Sequence, residues 1–250
     1  MKRFVVIIGS LLMLGACASA PKGNDAEALR AYRADPLEPM NRQVFKFNMT
    51  VDTYVLDPVA KGYRFITPQI VRTGVNNFLN NLYEPVTFVN NLLQFEFEKS
   101  VQTTGRFLTN TFLGVAGVFD VATNVGVPSN KTSFSETLAV WGFPEGPYLV
   151  LPLLGPSNVR RTMGLGVETF TDPVYLAAEN AGVENLVWIK DGVRIIAVKE
   201  SSLDLYNSMK KDSVDFYTTM RSTFQQNQKK LLEPDVQEKP SYEFEFDTEE

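Results

Sequence analysis

Apolar residues recur at helical spacing along most of this chain, and the pattern predicts an all-α protein interrupted once near its middle. Met40, Val44, Phe47, Asn48, Val51, Tyr54 and Val55 follow Asp35-Pro36-Leu37-Glu38, which reads as a cap, a first-turn proline and a first-turn acid. A helix is therefore expected from Pro36 to Leu56, ended by Asp57-Pro58. Thr67-Pro68 opens a second helix in the same way, with Val71, Val75, Phe78, Leu79 and Leu82 leading to an expected break at Glu84-Pro85. Val86, Val89, Leu92 and Leu93 suggest a short third. Phe97, Val101, Leu108 and Phe112 mark a fourth that Gly114 can terminate. Ser157-Asn158 can open a further helix bearing Arg160 and Arg161. Pro173 to Glu179, Glu184 to Met209 and the run Val214, Tyr217, Met220, Phe224 complete the helical pattern.

Three stretches stand apart. Asn76-Asn77, Asn80-Asn81 and Asn90-Asn91 sit beside apolar helix positions, where amides need partners, so they suggest interhelical polar contacts, a wet groove or plain exposure. Leu113 to Val127 is apolar and glycine-rich with Asp120 as its only charge, too short to span a bilayer and suited to one leaflet or to a core. From Ser133, a possible capping box with Glu136 starts a short helix that stops at Gly142. Phe143-Pro144-Glu145-Gly146-Pro147 then strings breakers together before Tyr148 to Leu154, an apolar run with Pro152 inside it. A proline there argues against a central strand, so an irregular hairpin without an evident core role is expected between Gly142 and Gly155. Gly142 and Gly146 flank Pro144 and Pro147, which allows either a lid swinging on two hinges or a fixed turn. In the lid case Phe143, Tyr148 and Leu149 would touch what passes.

Composition removes most catalytic readings. Histidine is absent, and with it the common general base, the serine and cysteine triads and imidazole metal sites. No P-loop, dinucleotide fingerprint or diagnostic carboxylate pair is present, so no enzyme, cofactor or metal is expected. Cys17 is the sole cysteine, which rules out an internal disulfide. It follows a basic start and an apolar run from Phe4 to Leu14, and Leu14-Gly15-Ala16-Cys17 resembles the bacterial lipobox. That implies a signal peptide over 1–16, lipidation of Cys17, a small polar tether over 17–34 and, with Ala18 next, an outer-membrane destination. The tail 233–250 carries eight acidic residues against Lys239 and too little apolar content to fold. Beyond it the mature chain is close to neutral with no basic stripe, which speaks against nucleic acid. A single domain over 35–232 is the simplest organisation.

Several ordered blocks carry a resemblance. Asp35-Pro36-Leu37-Glu38 with Asn41-Arg42 and Phe45-Lys46-Phe47-Asn48, then Asn76-Asn77-Phe78, Asn80-Asn81-Leu82, Glu84-Pro85, Arg106-Phe107, Asn110-Thr111 and Gly146-Pro147-Tyr148, resemble the MlaA (VacJ) family of outer-membrane phospholipid-binding lipoproteins. The resemblance implies a mostly helical, ring-shaped, membrane-embedded domain with a central hairpin and an amphipathic channel. It further implies removal of phospholipids misplaced in the outer leaflet, contact with trimeric porins, and transfer toward a periplasmic lipid carrier and an inner-membrane ABC transporter. Phe45, Phe47 and Asn48, with Trp141, Gly142, Phe143, Gly146, Tyr148 and Leu149, are the residues expected at the channel and its gate. A scaffolding lipoprotein that binds porins or cell wall and moves nothing is the alternative; a hydrolase is a remote third.

Overall fold

The computed structural model describes residues 35–183 and 185–232. The signal segment 1–16, the lipidation site Cys17, the tether 17–34 and the tail 233–250 lie outside the described residues. Helix α1 spans Glu38–Val51, two residues later than expected at its start. Asp35 does not cap it with its side chain. Its buried carboxylate instead accepts from Asn41 at 3.0 Å, from the Tyr217 hydroxyl and from Arg221 at 3.3 Å. The expected end at Asp57-Pro58 does not occur. Over Asp52–Leu56 the backbone widens into a π-turn, with the Asp57 N–H bonded to the carbonyl of Asp52 five residues back, and the helix continues as α2, Asp57–Ile66. A proline ring ordinarily clashes with the carbonyl four residues behind it, and the wider turn relieves that conflict at Pro58.

Helix α3, Gln69–Leu93, likewise runs through Pro85, so the expected break and the separate third helix are absent. Burial of Glu84, Val86, Thr87, Asn90 and Asn91 around that proline fixes the helix by tertiary contact where local propensity would end it. After a tight corner at Gln94 to Glu96, helix α4, Phe97–Phe112, returns against α3. The segment 113–120 folds back as a loop with Val115, Ala116 and Gly117 at positive φ, and Asp120 caps the one-turn helix α5, Val121–Asn124. Gly117 is required there: a Cβ would lie 2.4 Å from the Cβ of Asn81.

Helix α6, Phe134–Val140, starts with the capping box read from Ser133 and Glu136. It ends in a Schellman turn, the Gly142 N–H bonding to the Ala139 carbonyl and the Phe143 N–H to that of Leu138. Strands β1, Tyr148–Leu151, and β2, Gly155–Asn158, then pair antiparallel from Tyr148↔Asn158 to Leu151↔Gly155. The hairpin is regular, Pro152 falls in its turn, and the expectation that it lacks a core role is corrected. Tyr148 and Val150 form the apolar core with Tyr217, against which Val44, Phe45 and Phe224 pack. Helices α7, Val159–Thr171, α8, Pro173–Asn180, α9, Asn185–Asp212, and α10, Phe216–Leu232, complete the chain. Asn158 caps α7 through the Arg161 N–H at 2.7 Å and Asp172 caps α8 through the Val174 N–H at 2.8 Å. Contacts run from α1 to β1, β2, α7, α6, α3, α9 and α2, and α2 leads back to α1, closing a helical circuit across which α10 packs on β2, α6 and α9.

Candidate functional site

The distribution of polarity is inverted. Among the described residues, twenty polar or charged side chains are buried against eleven apolar ones. Outside, Tyr54, Phe65, Ile66, Ile70, Phe95, Phe112, Leu113 and Trp188 are largely exposed, Phe65 to 91%. A water-soluble domain of this size would cover such groups; a domain bathed in hydrocarbon would present them. No helix among the described residues is long and apolar enough to cross a membrane.

Polar contacts supply the interior cohesion that apolar packing does not. The asparagine pairs serve mainly as contacts between elements, the interhelical option left open by the sequence. Asn77 donates to the Val118 carbonyl at 3.1 Å, Asn81 to Thr111 at 2.9 Å and Asn91 to Thr103 at 3.2 Å, while Asn90 accepts from Thr137 at 2.8 Å. Asn80 alone of these is exposed. Lys199 on α9 sits between Asp52 at 2.6 Å and Asp57 at 2.8 Å, with its ammonium 4.1 Å from the centre of the Tyr206 ring. Burial alone would raise the Asp57 carboxyl, but the Lys199 ammonium holds it below its usual value. The next residue, Glu200, receives Arg64 at 2.7 Å and Arg72. These pairs fix the π-turn, α2 and α3 on α9.

A polar cavity of about 210 Å³ opens between α3, α4 and the loop that follows them. Asn77, Asn80, Asn81 and Glu84 line it from α3, Arg106 and Asn110 from α4, and Asp120, Thr123, Ser129 and Lys131 from beyond. Arg106 is buried and saturated, reaching Glu84 at 3.5 Å, Asp120 at 3.0 Å and the Val127 carbonyl at 2.6 Å. Burial pushes the Glu84 carboxyl up despite Arg106.

The residues singled out in the sequence divide into two sets. Phe45 packs in the core on Phe216 and Tyr217, Tyr148 is 5% exposed, and Asn48 holds the hairpin through the Leu151 carbonyl at 2.9 Å and the Leu153 N–H at 2.8 Å. Gly142 and Gly146 both lie at positive φ; the first ends α6, and a Cβ on the second would meet Val159 Cβ at 2.8 Å. Phe47, Trp141 and Phe143 are about half exposed and Leu149 is partly so. Trp141 also donates to the Leu93 carbonyl at 3.0 Å, closing the C-terminal end of α3. Sequence reading missed Lys199, the Glu84–Arg106–Asp120 set and the clamp role of Asn41. The signal for the last two was the place of Glu84, Arg106 and Asn41 in the blocks that carry the family resemblance, whereas Lys199 resembled any solvated helix lysine.

Comparison with known proteins agrees with this arrangement. A family model described as MlaA lipoprotein matches residues 33–231. The intermembrane phospholipid transport system lipoprotein MlaA of Haemophilus influenzae is 32% identical over 232 residues, 90% of this chain and 88% of that protein. Its Escherichia coli K12 counterpart is 38% identical over 157 residues, 61% of this chain and 60% of that protein. An uncharacterized protein of Rickettsia typhi is 45% identical over 137 residues, and that match spans about half of the relative's length, 54%. A solved structure, described as "Structural basis for maintenance of bacterial outer membrane lipid asymmetry", superposes with a TM-score of 0.67 at 32% identity, covering 80% of this chain and 100% of its own. An inside-out helical circuit with this match along nearly all its described length belongs to the MlaA lipoprotein family.

Proposed function

We propose that this protein lies in the inner leaflet of the outer membrane, anchored through Cys17, and removes phospholipids misplaced in the outer leaflet, passing them toward the periplasm. The inverted polarity carries this reading. Moving a phospholipid across a leaflet unaided means dragging a charged headgroup through hydrocarbon without partners, at a cost of many kcal/mol. A body with apolar groups outside and polar groups within lets the headgroup travel among amides and charges while the chains stay in hydrocarbon. Phe47, Trp141, Phe143 and Leu149 are assigned to the acyl chains on their exposure. Phe45, Asn48, Gly142, Gly146 and Tyr148 are assigned to holding the surrounding frame. No bond is made or broken in this process. A porin would hold the protein in the membrane plane, and a periplasmic carrier feeding an inner-membrane ABC transporter would take the lipid. The similarity to the intermembrane phospholipid transport lipoproteins of Haemophilus influenzae and Escherichia coli supports this reading.

The test is an analysis of outer-leaflet lipids in cells with and without the protein. Phospholipid should accumulate in the outer leaflet when the protein is missing and clear when it is restored. An unchanged leaflet in cells lacking it would favour a scaffolding lipoprotein.

A further inference from the structure

The polar cavity between α3 and α4 holds two acceptor atoms that the fold leaves unused. Asn81 spends its amide N–H on Thr111, and its carbonyl oxygen Oδ1 has no hydrogen-bond partner; Glu84 gives Oε1 to Arg106, and Oε2 has none. Both side chains are 4% exposed and both line the cavity. Buried acceptors are normally satisfied, so the pair points to a donor that occupies the space. Arg106 cannot be that donor for Oε2, since its remaining N–H groups are spent on Thr123, the Val127 carbonyl and Asp120. Lys131 lines the same cavity and has no ion pair among the described residues; Glu84 is the first of the charges that act on it. The lining therefore presents free acceptors and a free cation to one volume.

We propose that this cavity is a headgroup subsite for a zwitterionic ammonium–phosphate headgroup, with the primary ammonium on Glu84 Oε2 and Asn81 Oδ1 and the phosphate toward Lys131. This rests on the reading of the protein as a phospholipid carrier. A purely anionic headgroup would answer Lys131 and leave Glu84 unsatisfied. A bare metal cation would face both Arg106 and Lys131. A quaternary ammonium carries no N–H to give either acceptor. The surroundings fit a lipid: the loop 113–120, held on α3 by the bond from Asn77 to the Val118 carbonyl, turns Leu113, Val115 and Phe119 outward. A headgroup in the cavity would thus have its chains beside exposed apolar side chains. Burial, which raises the Glu84 carboxyl, is offset most simply by a second cation at Oε2.

The full-length protein in non-ionic detergent is titrated with short-chain phosphatidylethanolamine, phosphatidylglycerol and phosphatidylcholine, and with free phosphoethanolamine, by calorimetry. The ethanolamine lipid should bind about tenfold more tightly than the other two, the scale of one charge-assisted hydrogen bond. Glu84→Gln should abolish that preference, and Lys131→Ala, a change at an exposed position, should weaken every phosphate-bearing ligand. Equal affinity for all three lipids in the unaltered protein, or a preference untouched by both substitutions, overturns the subsite while leaving the carrier reading intact. Equally tight binding of free phosphoethanolamine overturns a lipid as the occupant. Failure of every phospholipid to bind contradicts the carrier reading itself.

Discussion

Asn41 and Asn48 grip one hairpin from one helix: seven residues apart on α1, they project from the same face and satisfy the free edge of β1 and its turn. Asn41 donates to the Tyr148 carbonyl at 3.0 Å and accepts from the Val150 N–H at 2.9 Å, and Asn48 repeats the pattern at Leu151 and Leu153. The two amides thus replace a third strand. They also couple α1 to the hairpin.

Removing Asn41 strands a buried carbonyl and a buried N–H. Asn41→Ala is expected to cost about 1–3 kcal/mol, the usual penalty of an unmade buried hydrogen bond, with faster amide exchange at Val150. Asn48→Ala, at a half-buried position, should cost less. An Asn41→Ala protein with wild-type stability and a protected Val150 amide would show that the clamp does not hold the strand.

The two hinge-like glycines should behave differently. Gly142→Ala meets no atom within 4 Å and bears only the left-handed backbone, roughly 1–2 kcal/mol. Gly146→Ala bears the same strain and also collides with Val159, so it should be the more damaging of the two. Val159→Ala should partly restore stability to Gly146→Ala and not to Gly142→Ala. Two stable alanine proteins that fail only in lipid movement would instead speak for a hinged lid.

Lys199 neutralises two carboxylates at once, the buried Asp52 and the partly buried Asp57. Lys199→Ala should lose about 3–5 kcal/mol in denaturant unfolding, because the buried Asp52 and the partly buried Asp57 remain without their cation. The variant Lys199→Met with Asp52→Asn and Asp57→Asn should recover most of that loss. The Asp57 carboxyl is held below its usual value, so its contribution is complete above the ordinary carboxylate range and disappears as pH falls through and below it. Wild-type stability should therefore fall more steeply in acid than that of the triple variant. Parallel acid profiles would remove Asp57 from the account.

Helix starts marked by capping side chains and the end at Gly142 were legible in this sequence, and the ends read from prolines were not. The capping box at Ser133 and Glu136 and the cap at Asn158 are local hydrogen bonds, so their residues suffice to announce them. Pro58 and Pro85 looked like ends because a proline removes one N–H and crowds the preceding turn. A π-turn absorbs the first, and packing of α3 on α4 absorbs the second; both are tertiary effects that spacing does not encode. Asp35 looked like a cap for the same reason and is used instead by Tyr217 and Arg221, residues at the far end of the chain. The asparagine pairs did signal polar contacts. Which of them would leave an unfilled acceptor required knowing that Asn81 and Glu84, neighbours one turn apart on α3, line the same cavity.

The central claim is that the exposed apolar surface lies in hydrocarbon within one leaflet. The chain has two tryptophans, both on that surface, Trp188 at 67% exposure and Trp141 at 47%. Their fluorescence in vesicles made with phospholipids brominated at successive acyl-chain depths measures this directly, using Cys17→Ala protein so that no lipid anchor contributes. Strong quenching by bromine on the acyl chains, with little quenching by aqueous iodide, is the predicted result. Emission that iodide quenches freely and brominated lipids leave untouched would contradict it.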